Sequence, residues 1–131
     1  MDFADSPEQA VFRTEVESFF AKNFPAALEV SDEDDPRTRM EAGGDQGDAL
    51  KQWRMALVSK GWIAPAWPKE YGGANLSPME QFILNETVAE KGAPMLRVPD
   101  VGSTIMVHGS AEQKAEFLPP MVRGESRWCQ G

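Results

Sequence analysis

"NLSPMEQFILNETVAEKG", residues 75–92, decides the fold class. Ser77 can cap a helix and Pro78 can occupy its first position, where a missing N–H costs nothing. Glu80, three residues after the cap, completes a capping box. Phe82, Ile83, Leu84, Thr87 and Val88 then spread over a wide arc, which predicts a central helix buried on more than one side. Gly92 supplies the stop. A sequence that spells out a helix start this fully, and does so more than once, is built from helices.

The same device stands on either side. Upstream, "SPEQAVFRTEVESFFAKNF" gives Ser6 as cap, Pro7 as first residue and Gln9 as the box partner. Phe12, Val16, Phe19 and Phe20 follow at helical spacing, and Asn23 to Pro25 ends the helix. Downstream, Ser110 and Gln113 form a third box before "AEQKAEFL", after which "PPMVRGE" reads as a further short turn closed by Gly124. Asp48 can cap a helix through "ALKQWRMALVSK", with Leu50, Trp53 and Leu57 on one face and Gly61 at its end. Val101 to Val107 allows about two more helical turns. Between these helices, the prolines of "GWIAPAWPKEYGG" forbid regular helix and predict an extended connection anchored by Trp62 and Trp67, two core residues.

Five or six helices and no strand signal before residue 127 predict an all-α bundle. Residues 126–131, "SRWCQG", are strand-like but have no partner strand, and a lone strand leaves its backbone groups unpaired. The expected division is therefore a helical domain over 1–126 and the start of a sheet-containing domain over 127–131.

At 131 residues and 41% hydrophobic content the chain suits one core. It holds no apolar run near the ~20 residues of a membrane helix and no signal-peptide pattern, so a cytoplasmic protein off the membrane is expected. Net charge is -8, and residues 1–50 hold 13 acidic against 4 basic side chains. That balance argues against nucleic acid as a partner. The acidic stretch 31–48 reads as a solvated loop. A calcium loop is the alternative weighed, but Arg37 stands where such a loop needs glycine.

No phosphate loop, dinucleotide turn, nucleophile elbow or zinc-protease motif is present. One histidine, His108, and one cysteine, Cys129, exclude a two-histidine metal site and an internal disulfide; no metal site and no catalytic residue is assigned. His108 suits a helix C-terminus, where an imidazolium favours the dipole. Cys129 reads as a small buried hydrophobe.

Three stretches together resemble the N-terminal domain of the acyl-CoA dehydrogenases: "GWIAPAWPKEYGGANLSPMEQFILNETVAEKGAP" (61–94), "VGSTIMVHGSAEQKAEFLPPMVRGE" (101–125) and the final "RWCQG". The run from His108 to Glu125 is the most specific of these, and "PKEYGG", Pro68–Gly73, is a lesser mark. The resemblance implies a helical domain followed by a β-barrel and a second helical bundle, with FAD held among them. It implies α,β-dehydrogenation of an acyl-CoA thioester: a carboxylate from a region beyond residue 131 removes a proton, and a hydride passes to the flavin.

By the same resemblance, Arg97 to Ile105 corresponds to a helix walling the acyl pocket. That makes Val98, Val101, Gly102, Ser103 and Ile105 candidates for substrate lining, with plain helix packing the competing reading for each. Gln130 and Gly131 match the start of a flavin-contacting strand, and 32–48 corresponds to a variable insertion that tunes substrate preference. The implied partners are an acyl-CoA substrate, an electron-transfer flavoprotein-type acceptor and other subunits in a homo- or hetero-oligomer; the chain alone is expected neither to bind FAD nor to turn over. Two other readings remain open at this level: a stand-alone helical module that docks on a barrel-containing partner, and an acyl-CoA oxidase relative.

Overall fold

A serine with a carboxylate or amide three residues later starts three of this chain's helices, two of them with proline directly after the serine, and the computed structural model shows each of the three boxes closed. Ser6, Ser77 and Ser110 each accept from the backbone N–H three residues on, and Gln9, Glu80 and Gln113 accept from the serine N–H in return. The structure describes residues 4–29 and 45–129. Among them are five α-helices: α1 (Pro7–Asn23), α2 (Asp45–Lys60), α3 (Pro78–Glu90), α4 (Asp100–His108) and α5 (Ala111–Arg123), with 3-10 turns at Ala26–Leu28 and Lys69–Tyr71. No strand occurs among the described residues.

The chain divides into two units. The first comprises Met1–Trp53 and Leu76–Met95, the second Arg54–Asn75 and Leu96–Gly131. In the first unit α1 packs on α3. Val16, Phe19 and Phe20 line up every third or fourth residue on α1, and Ile83, Leu84 and Thr87 do so on α3. Full burial of a side chain such as Ile83 is worth about 1.5–3 kcal/mol. The Thr87 hydroxyl, buried with them, donates to the Ile83 carbonyl at 3.1 Å.

Trp53 is the centre of this unit's aromatic cluster. Phe20 and Phe24 meet it edge-on at 4.9 and 5.1 Å between centroids, and Phe19 lies tilted at 5.8 Å. Such pairs add about 0.5–1.5 kcal/mol each beyond area burial. Its indole N–H is buried and meets no hydrogen-bond acceptor among the described residues. At the rim, Arg13 clasps two partners: its Nε donates to Asp5 at 2.6 Å and its Nη1 to Glu86 of α3 at 2.6 Å.

The second unit rests on a different principle. Residues 62–75 cross it as a run of turns, held by backbone bonds such as Trp67 N–H to Ala64 O and Asn75 N–H to Trp67 O, both 2.9 Å. Gly61 and Gly73 allow this path. A Cβ on Gly61 would lie 2.5 Å from the Gly73 carbonyl, and one on Gly73 would lie 2.0 Å from the Trp67 carbonyl oxygen. Three backbones thus meet where no side chain fits. Trp62, Ile63, Ala64 and Trp67 are buried from this segment, and Leu118, Met121 and Val122 from α5, which packs on α4 and on the 3-10 turn at 69–71.

Several expectations shift in detail. α3 is buried on one face, since Phe82, nearly opposite Leu84 on a 3.6-residue turn, is 58% exposed. α2 begins at Asp45, so Asp48 lies inside its first turn, where a carboxylate still favours the helix dipole, and pairs with Lys51 at 3.3 Å. The proline-rich connection is a run of turns, not an extended segment, because successive i→i+3 bonds close it. The pair of short helices expected over 110–125 is one helix, α5, with Pro119 and Pro120 inside it; each proline forgoes one backbone bond, and its fixed φ suits the helix. Residues 125–129 carry no regular structure, so the expected strand is not seen in its described part. Cys129 is exposed, not buried: no regular element among the described residues carries it into a core. Of the stretch 31–48 expected as a loop, 45–48 is the first turn of α2, while 31–44 and the residues Gln130 and Gly131 lie outside the described residues.

Candidate functional site

Pro99 sets the start of α4 without a side-chain cap, and the chain before it, from Ala93, is irregular. Arg97, Val98 and Pro99 therefore approach α4 along its entry, and Asp100, Val101 and Thr104 continue the same wall on the first helical turn. Trp128 and Cys129, from the segment after α5, complete the lining. Together these eight residues line a groove of about 610 Å³ in the second unit. Val98 and Val101 give it an apolar strip; Arg97, Asp100, Thr104 and the Cys129 thiol give it polar and charged edges.

The position of Trp128 follows from what holds it. Its indole N–H donates to the Ser126 hydroxyl at 3.2 Å, and its ring stands perpendicular to Phe117 of α5 at 5.6 Å. One step earlier, Arg123 donates from Nε and Nη2 to the Glu125 carboxylate at 2.7 and 2.8 Å. That pair holds the Glu125 carboxyl below the usual carboxylate range and raises the Arg123 guanidinium further. Both ends of the pair are exposed, so it orders the turn more than it stabilises the fold.

Of the residues singled out from sequence, Val98 and Val101 stand in the groove. Val98 lies just ahead of α4, not on it. Gly102 is turned away and buried: a Cβ there would come within 2.8 Å of the Trp67 ring and 3.3 Å of the Met121 sulfur. Ser103 is exposed and outside the groove lining; the Ile105 carbonyl accepts the N–H of Gly109, which ends α4. His108 occupies the last turn of α4, and Trp62 and Trp67 are core residues. Thr104 was missed, although its spacing of three from Val101 carries the signal. Trp128 and Cys129 were missed because only tertiary folding brings them back to α4.

A smaller depression of about 220 Å³ in the first unit lies where the N-termini of α1 and α3 adjoin, lined by Ser6, Gln9, Ser77 and Glu80 among others. Ser6, Gln9, Ser77 and Glu80 are engaged in the two capping boxes. Ser77, through its side chain and then its backbone N–H, holds the Glu80 carboxyl below the usual range. Among the described residues no group of three or more His, Cys, Asp or Glu side chains could hold a metal, and no helix is long and apolar enough to cross a membrane.

The groove can accept a ligand that is apolar along one side and polar or charged at its ends. It presents no base in the shielded, dry setting that proton abstraction needs.

Comparison with known proteins supplies the context. A family model described as acyl-CoA dehydrogenase, N-terminal domain, matches residues 6–125. The acyl-CoA dehydrogenase FadE26 of Mycobacterium tuberculosis is 32% identical over 133 residues, taking in 100% of this chain and 32% of that protein. Among solved structures, the ChsE4-ChsE5 complex from Mycobacterium tuberculosis matches with a TM-score of 0.67 at 30% identity, covering 97% of this chain and 30% of that one. The Tcur3481-Tcur3483 steroid ACAD matches with a TM-score of 0.61 at 30% identity, covering 95% and 31%. The chain spans about a third of the length of these relatives.

Proposed function

The chain belongs to the acyl-CoA dehydrogenase N-terminal domain family, and from that premise we propose that it supplies the helical N-terminal part of a flavin-dependent acyl-CoA dehydrogenase. Its part in the reaction is a wall: α4 and the residues leading into it border the acyl group of a CoA thioester. The family match over 6–125, which includes the whole of α4 and α5, carries this reading.

FAD, when bound in this family, accepts the hydride removed from the acyl chain. The described residues do not by themselves fit it. One indole and one guanidinium along a one-sided groove can touch a ring or a phosphate but cannot enclose an isoalloxazine. Gln130 and Gly131, proposed as flavin contacts, lie outside the described residues. What this chain contributes is binding and exclusion: Val98 and Val101 offer apolar surface to an acyl chain, and Trp128 completes the groove's lining. Gly102, Ser103 and Ile105 enter the proposal as support for α4.

The substrate we propose is a thioester with a bulky, steroid-derived acyl group. Support comes from the similarity to a structure titled as a steroid ACAD. A hetero-oligomer is proposed on the similarity to a complex of two different chains, ChsE4 and ChsE5. An electron-transfer flavoprotein-type acceptor and a cytoplasmic location complete the proposal.

The test is the polypeptide that carries this chain, purified with any subunit that accompanies it. It is assayed with a dye acceptor against straight-chain, branched and steroid side-chain CoA thioesters. Turnover of the steroid thioester is expected. A preparation that holds FAD and turns over none of the panel would reject the function; turnover of straight chains alone would reject the substrate class.

A further inference from the structure

α5 ends on Gly124, whose φ of 72° puts it in the left-handed region. The Gly124 N–H reaches back to the Met121 carbonyl at 3.2 Å and the Glu125 N–H to the Pro120 carbonyl at 3.0 Å, a closure that satisfies two carbonyls of the last turn. The Val122 carbonyl is left over, and Arg54 turns to it, with Nη1 at 3.5 Å. The Arg54 stem also lies flat on the turn: a Cβ at Gly124 would come 2.9 Å from its Nε and 3.0 Å from its Cδ.

Arg54 is half-buried, and no carboxylate pairs with it among the described residues. Burial lowers its pKa from the ordinary arginine value, the sign of a charge partly withdrawn from water. A cation withdrawn from solvent without a counter-charge is normally disfavoured; here the carbonyl end of a helix dipole faces it.

From this turn the chain doubles back. Arg123 grips Glu125, Ser126 accepts from the Trp128 indole, and Trp128 stands on Phe117, seven residues before Gly124 and so about two helical turns back along α5. Trp128 and Cys129 then form one wall of the groove. Had the helix ended one residue later, or the turn opened, those two side chains would leave α5 in another direction.

We propose that Arg54 is a positioning residue: by clamping the turn at Gly124 it sends residues 125–129 back along α5 and so sets Trp128 and Cys129 in place as a groove wall. What the groove holds rests on the function proposed above, whereas the placement of its wall can be read without turnover, so the two can fail separately.

The chain's one cysteine is exposed on that wall and takes a nitroxide label directly. In the full chain, Arg54→Met is expected to narrow the label's spectrum to that of a mobile segment. It should also speed amide exchange over 125–129 by about tenfold, the scale of one lost local restraint. Amides of α3 in the other unit should exchange as before. If the label and the 125–129 amides instead behave as in the parent chain while only the melting temperature falls, Arg54 is a packing residue and the proposal is overturned. Should Arg54→Met melt the whole chain, Arg54→Gln, which keeps a shorter stem and a donor, is read by the same two signals. A loosened segment with α3 still protected supports the proposal; an unchanged segment overturns it.

Discussion

The two units reach a core by different means. In the first, regular helices carry apolar stripes that meet side chain to side chain: Val16, Phe19 and Phe20 on α1, Ile83, Leu84 and Thr87 on α3, with Trp53 caged by phenyl rings. In the second, the decisive contacts are backbone to backbone, where Gly61, Gly73 and Trp67 converge, and ring to backbone, where Trp67 fits against Gly102. A side-chain core softens when one piece is removed, because neighbours relax into part of the space. A backbone convergence has no such slack, because nothing short of moving the chain makes room.

Substitutions can break or sharpen that contrast. The largest cost is expected for Gly73→Ala, whose Cβ would fall on the Trp67 carbonyl: about 5 kcal/mol, read as lost exchange protection in α5. Trp53→Ala should cost about 4 kcal/mol in a urea melt followed by circular dichroism. If Trp53→Ala proved costlier than Gly73→Ala, the contrast between the units would fail.

Gly102→Ala tests an intermediate case. Its Cβ meets the edge of the Trp67 ring and the Met121 sulfur, both side-chain atoms, so a cost of about 2 kcal/mol is expected in the same melt. A neutral result would show that the second unit has more give than its backbone contacts suggest.

The smallest effect concerns the rim of the first unit. The hydrogen bond from Arg13, aided by its charge, holds the Asp5 carboxyl below the usual aspartate range. A carboxylate whose pKa is lower folded than unfolded stabilises the fold above its unfolded pKa, and that contribution is lost as pH falls toward the folded value. Melting temperature should therefore decline from about pH 5 downward more steeply in the parent chain than in Arg13→Met. Equal slopes would show that the clasp carries no linked stability.

The first unit was largely legible in the sequence, the second less so. Capping chemistry and the 3.6-residue period are local, so α1 and α3 could be read from Ser6 and Ser77; in the second unit the same signal, Ser110, marks only the start of α5. Phe82 misled because an apolar residue on a helix does not say which side is covered. In the second unit, "PKEYGG" marks a turn without revealing that Gly73 lies under the Trp67 carbonyl, a contact made only when the chain folds back. The groove was half legible for the same reason: Val98 and Val101 are neighbours in sequence, whereas Trp128 and Cys129 arrive there through the turn at Gly124. The proline pair in α5 looked like a boundary because rules for helix interiors weigh the lost bond, not the neighbours that keep the helix in line.

The solitary indole N–H of Trp53 has an optical consequence. An excited indole shifts its emission to the red as surrounding dipoles reorient around it, and a cage of phenyl rings with no acceptor among the described residues offers few dipoles to reorient. Trp53 should therefore emit at the blue edge of the spectrum, and Trp128, partly in water on the groove wall, at the red edge. Trp62 and Trp67, buried in the second unit, lie toward the blue as well, so the red-edge signal is the one that singles out Trp128 and the groove wall.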